Sequence, residues 1–129
     1  MIVLDASAVI EVLMKSAMGM VLSGRLHAVR LAHAPHLVDI EVANVLGRQC
    51  SLGNLAQTRA TQALEDFRKM RILRHRHTAH LSRIWELRDN FTSYDACYLA
   101  LTEALGATLI TRDKALRSAR LRRGSIELV

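Results

Sequence analysis

The sequence predicts an α/β fold, a three-layer α/β/α sandwich around a central, mostly parallel sheet of four to five strands. Two observations lead there. Short, uniformly apolar runs alternate with longer stretches of helical periodicity, and a strand apolar on both faces belongs in a parallel sheet covered by helices. The length agrees, since 129 residues suit one hydrophobic core, so a single domain over residues 1–129 is expected. Apolar residues are 50% of the chain and charged residues 23%, the balance of a chain that folds rather than one kept disordered.

Ile2 to Leu4 is a short β-branched run ending at Asp5 and reads as a buried strand. The helix after it has Ser7 as cap and Val9, Ile10, Leu13 and Met14 on its apolar side. A second helical piece, roughly Ala17 to Arg25, closes near Gly24. Val29 to Ala34 reads as the second strand, and Pro35, the only proline, marks the break before the next helix. Between Leu37 and Leu52, apolar residues recur at helical spacing and Gly53 supplies the stop. Asn54 and Gln57 have the spacing of a capping box, opening a helix to about Lys69. Arg71 to Arg74 is a third strand, Ala79 to Asn90 a helix, and Ser93 the cap of a helix ending at Gly106. Ala107 to Thr111 is a fourth strand, Lys114 to Ala119 a short helix, and Ser125 to Leu128 a fifth strand. No internal repeat, low-complexity tract or linker interrupts this order.

Several function classes drop out. The longest stretch free of Asp, Glu, Lys and Arg runs from Gln49 to Thr58, far short of the roughly 18 apolar residues of a bilayer span, so no membrane role is expected. No basic residue precedes Lys15, so the positive leader region of a secretory signal is missing and a cytosolic protein is expected. Cys50 and Cys97 lack any metal or redox spacing and read as buried apolar residues. The net charge of +6, with fifteen of eighteen basic residues Arg, favours a polyanion or an acidic partner, because guanidinium grips phosphate or carboxylate with two parallel hydrogen bonds. Aromatic residues at 4% supply few platforms for base stacking, so nucleic acid would be held by its phosphates.

Ligands of open parallel sheets bind beyond the C-terminal strand ends. Asp5 follows the first strand directly and Asp113 follows Leu109-Ile110-Thr111; if those strands are neighbours, the two carboxylates face each other. Asp95 lies in the first turn of its helix, and Glu41 in the first turns of another, with Asn44 one step along the same face. Four acids together repel unless a cation compensates them, and carboxylate oxygens are what Mg²⁺ or Mn²⁺ prefers. Taken singly, Asp95 and Asp113 also suit helix starts as caps, and Glu41 suits a solvated helix face. Asp5 is harder to explain that way, because a carboxylate ending a buried strand needs a partner.

These segments carry a family resemblance. Ile-Val-Leu-Asp5-Ala-Ser7, the stretch from Pro35 through Glu41 and Asn44, Tyr94-Asp95 through Gly106, and Leu109-Ile-Thr111-Arg-Asp113 resemble the PIN domain, and more closely the VapC toxins of toxin–antitoxin pairs. The resemblance implies a Mg²⁺- or Mn²⁺-dependent endoribonuclease, usually dimeric, neutralised by a cognate VapB-type antitoxin. It implies Asp5, Glu41, Asp95 and Asp113 as catalytic and metal-holding acids, with Ser7, Thr111 and Asn44 in support. Arg112, Arg117 and Arg120 are candidates for RNA or antitoxin contact.

Competing readings are weaker. A phosphoryl-accepting receiver would show a paired acid after its first strand and a Lys after its last, and neither stands here. A non-catalytic RNA-binding module would be expected to lose acidic positions, and all four are present. His75, His77 and His80 form an HxHxxH pattern that reads as a solvated turn rather than a zinc site. Asp39 reads as a surface acid. Met14, Met18, Met20, Val21 and Leu22 form an apolar stripe suited to core or partner contact.

Overall fold

A computed structural model describes residues 1–129. Five strands, β1 (Ile2–Leu4), β2 (Ala32–Pro35), β3 (Ile72–His75), β4 (Thr108–Thr111) and β5 (Ser125–Leu128), form one sheet in the order β3-β2-β1-β4-β5. Every pairing is parallel. Six helices flank it: α1 (Ala6–Met14), α2 (Ala17–Val29), α3 (Leu37–Ser51), α4 (Gln57–Lys69), α5 (Leu81–Glu86) and α6 (Ser93–Leu105). The predicted α/β sandwich is the observed one, with the full five strands.

β1 and β4 are central because Val3, Leu4, Leu109 and Ile110 offer no polar face and are fully buried. The outer strands β3 and β5 are more open. Helix α6 packs across β1, β2 and β4, with α5 against it, and α1 packs with α2, α3 and α4. Every residue of α6 from Ala96 to Glu103 is buried, as befits a helix covered nearly all round. The chain leaves β1 toward β2 on one side and returns to β4 on the other, so the strand order reverses between β1 and β4 and a crevice opens beyond their C-terminal ends.

Several local expectations shift. The cap position of α1 is Asp5, and Ser7 lies inside the first turn. Helix α2 runs through Gly24, where nothing crowds the backbone, and takes Val29 from the expected second strand, so β2 begins only at Ala32 and keeps Pro35 as its last residue. The Asn54 amide donates to Gln49 Oε1 (3.1 Å), so no capping box forms and α4 opens after Ala56. The expected helix from Ala79 to Asn90 is a 3₁₀ turn (Thr78–His80) followed by the short α5. Thr92, not Ser93, caps α6 by accepting the Asp95 amide at 3.1 Å. The last short helix is a 3₁₀ turn, Lys114–Ser118, and Cys50 is only half-buried whereas Cys97 is buried.

Two glycines are required by close approach. A Cβ on Gly19 would stand 1.9 Å from the Glu11 carbonyl oxygen where α2 crosses α1, and one on Gly124, at φ +84°, would stand 2.4 Å from the Ala107 carbonyl oxygen. No single helix is long and apolar enough to cross a membrane; α1 and α2 together reach that length and composition but bend by 105° at their junction.

Candidate active site

β1 and β4 pair in register, Val3 opposite Leu109 and Leu4 opposite Ile110, and the Asp5 amide donates to the Ile110 carbonyl at 3.1 Å. That register brings Asp5, Ser7 and Thr111 together. Asp5 is buried, and its Oδ2 accepts the Ser7 hydroxyl and the Thr111 hydroxyl, both at 2.6 Å. Each hydroxyl in turn accepts a backbone amide of the loop after β4: Ser7 Oγ from Arg112 (2.9 Å) and Thr111 Oγ1 from Asp113 (3.0 Å). Two amide-to-hydroxyl-to-carboxylate relays thus pin that loop to the end of β1. They converge on Oδ2, leaving Asp5 Oδ1 for the crevice.

The other acids arrive from separate elements. Asp95 stands in the first turn of α6, where burial first, then the charges of Asp113 and Asp5, push its carboxyl above the usual range against the Thr92 hydroxyl. Glu41, one turn into α3, is raised by burial, then by the charges of Asp5 and Asp95, while the neighbouring Tyr98 hydroxyl pulls the other way. Its Oε1 is buried without a hydrogen-bond partner, and so is the Tyr98 hydroxyl. Asp113 is exposed and caps the following turn, with Oδ1 accepting the Ala115 amide at 2.8 Å. The four acids therefore share one electrostatic environment, and Asp113 fills the cap position expected of it. Asn44 stands exposed on α3, one turn beyond Glu41.

The PIN domain family matches residues 2–121. VapC ribonuclease Mb0985 of Mycobacterium bovis and ribonuclease VapC9 of Mycobacterium tuberculosis are each 38% identical to this chain over 116 residues, covering 90% of it and 88% of the relative. The chain belongs to the PIN-domain family. Ribonuclease VapC1 of Mycobacterium tuberculosis is 38% identical over 119 residues, covering 91% of the chain and 89% of the relative. In three dimensions this PIN domain superposes on the crystal structure of PAE2754 from Pyrobaculum aerophilum with a TM-score of 0.71, covering 97% of this chain and 87% of that one, at 21% identity, a likeness of fold.

No three His, Cys, Asp or Glu side chains of this PIN domain are placed to hold a metal ion by themselves. The donor set nonetheless fits Mg²⁺ or Mn²⁺. Mg²⁺ keeps most of its waters and binds through one or two carboxylates, and the cluster offers the orphaned Glu41 Oε1 and an Asp5 oxygen not taken by Ser7 and Thr111, beside carboxyls raised by burial and then by one another's charge. A cation would relieve that repulsion.

The remaining sequence candidates divide. Arg112 forms an ion pair with Glu11, which also accepts from Ser16. Arg117 and Arg120 are exposed and enter no ion pair, whereas Arg122 is engaged with Glu86 (2.7 Å) and through its amide with Glu103 Oε1 (3.0 Å). Asp39 is more than a surface acid, since its Oδ1 accepts Arg74 Nε (3.0 Å) and Nη2 (2.9 Å) and ties α3 to β3. His75 is no solvated turn residue: its Nε2 meets Nδ1 of buried His33 at 2.9 Å. In the apolar stripe, Leu22 is buried while Met18, Met20 and Val21 are exposed. Sequence reasoning assigned no role to Tyr98. It lies three residues after Asp95, one helical turn along α6 on the same side, but in so apolar a helix a tyrosine reads as core.

Proposed function

We propose that this chain is a divalent-metal-dependent endoribonuclease, the toxin of a toxin–antitoxin pair. The observation that carries the reading is the gathering of Asp5, Glu41, Asp95 and Asp113 from four elements at the β1–β4 crevice, where Glu41 and Asp95 have raised carboxyls and Glu41 Oε1 has no protein partner. The naming of its relatives as VapC ribonucleases supports RNA as substrate. Residues 1–129 form the PIN-like unit in this reading, which works in the cytosol, as a homodimer, against RNA and a VapB-type antitoxin.

Asp5, Glu41, Asp95 and Asp113 would hold Mg²⁺ or Mn²⁺, with Ser7 and Thr111 fixing Asp5 and Asn44 facing the substrate side. When bound, the cation supplies compensation for phosphate charge and acidifies a water at neutral pH. The acids would orient an attacking water in line with the scissile bond, so that its oxygen bonds to phosphorus as the P–O3′ bond breaks, leaving a 5′-phosphate and a 3′-hydroxyl. Asp95, whose carboxyl is raised by burial and by the charges of Asp113 and Asp5, would accept the water's proton, with a proton reaching the departing O3′ from solvent. Arg112, Arg117 and Arg120 would engage RNA phosphates or an acidic antitoxin segment.

Asp5→Asn and Asp95→Asn should each abolish cleavage while circular dichroism shows the fold retained. The assay compares structured and unstructured RNA with Mg²⁺ or Mn²⁺ and with EDTA, mapping product ends. Activity that survives either substitution removes that residue from the mechanism; RNA binding without any cleavage favours a non-catalytic RNA-binding module.

A further inference from the structure

Only two buried side-chain oxygens or nitrogens in the whole chain lack a hydrogen-bond partner, Glu41 Oε1 and the Tyr98 hydroxyl. The two groups are neighbours in the cluster: the Tyr98 hydroxyl acts on the Glu41 carboxyl, Glu41 acts on Tyr98, and Asp5 acts on both. Tyr98 is 1% exposed. A buried hydroxyl with no partner destabilises the fold, and Phe would fill the same space without that cost. The other buried polar side chains of α6 are satisfied within the fold: the Thr102 hydroxyl donates to the Tyr98 carbonyl at 2.8 Å, and Glu103 takes Arg83 in a two-pronged pair at 2.8 Å each. The exception on this otherwise satisfied helix faces the one carboxylate oxygen that is also unsatisfied.

We propose that Tyr98 is a positioning residue for the cation site, its hydroxyl donating to one oxygen of Glu41 when the site is loaded and so turning the other oxygen to the crevice. This rests on the reading of Glu41 as a cation ligand. A carboxylate oxygen is the acceptor a phenol O–H needs. Partners of this kind orient metal ligands, and their loss lowers metal affinity by about 10- to 100-fold.

The test titrates Mn²⁺ alone into the full chain, reading free Mn²⁺ by electron paramagnetic resonance, with melting followed in metal-free buffer. Wild type, Tyr98→Phe, Glu41→Gln and Thr102→Val are compared. The expected result is a Tyr98→Phe chain that melts at or above wild type yet binds Mn²⁺ about 10-fold more weakly, with Thr102→Val unchanged in affinity. Affinity of Tyr98→Phe within about twofold of wild type, while Glu41→Gln weakens binding, overturns the role of Tyr98 and leaves the metal reading standing. Equal losses in Tyr98→Phe and Thr102→Val, or a Tyr98→Phe chain that melts well below wild type, overturn it in favour of simple packing. Wild type and Glu41→Gln binding alike would remove Glu41 from the cation site, and the proposal with it.

Discussion

Asp5 is held by two hydroxyls on a single oxygen, and that economy makes its partners unequal to other surface hydroxyls. Thr111→Val keeps the shape of a fully buried side chain and removes one of two hydrogen bonds to a buried carboxylate, so it should lower stability by about 1–3 kcal/mol in denaturant unfolding, whereas Thr111→Ser should restore most of it. Glu41 behaves in the opposite sense. Its carboxyl is raised by burial and by neighbouring acids, so the folded state disfavours the charge that neutral pH imposes, and Glu41→Gln should raise the melting temperature in metal-free buffer while abolishing activity. An unchanged or lower melting temperature would contradict the repulsion. Asp5, Glu41, Asp95 and Asp113 were legible in the sequence because each sits at a recognisable strand end or first helical turn. Tyr98 was not, because in a helix of apolar residues a tyrosine looks like core, and only the missing partner of its hydroxyl sets it apart.

The pairing of β2 and β3 carries a pH response of its own. His33 and His75 share one hydrogen bond across the two strands (2.9 Å), and both rings are held below the usual histidine range: His33 by burial, then by His75 and the N-terminus, His75 by burial, then by His80 and His36. The unfolded chain therefore takes up protons first as pH falls below about 6.5, so the melting temperature should drop across that range, and His75→Gln should flatten the drop. A second loss follows at lower pH. Burial alone would push the Glu103 carboxyl up, but Arg83 and Arg122 outweigh it, and Arg25 lowers Glu127; the stability these two supply is present above the ordinary carboxylate range and goes as pH falls through it. At this scale the sequence was a partial guide. It located all five strands, each a short segment with at least two apolar residues, but helix ends slipped where tertiary contacts decide them: α2 ran on through an uncrowded Gly24, and the Asn54 side-chain amide turned back to Gln49 instead of capping α4.

Over the whole molecule, the positive charge is not evenly available. Arg25, Arg68, Arg74, Arg83, Arg112 and Arg122 are each paired with an acid, whereas Arg117 and Arg120, on the segment just after Asp113, are exposed and enter no ion pair. If these two grip phosphates, RNA affinity should fall steeply with salt, and Arg117→Ala with Arg120→Ala should each reduce the slope of log affinity against log salt by about 0.7 for a single strand; a slope that stays put would free them of that role. The overall architecture could be anticipated because alternating apolar strands and helices admit few topologies. The strand order that creates the crevice could not, because pairing between β1 and β4 depends on residues more than a hundred positions apart. That separation also sets a schedule for synthesis. Chains emerge N-terminus first, and Thr111, which completes the hold on Asp5, is 106 residues behind it. A nascent chain is therefore without its crevice until Thr111 has left the ribosome, and a product released before β4 carries Asp5, Glu41 and Asp95 with no seam to gather them.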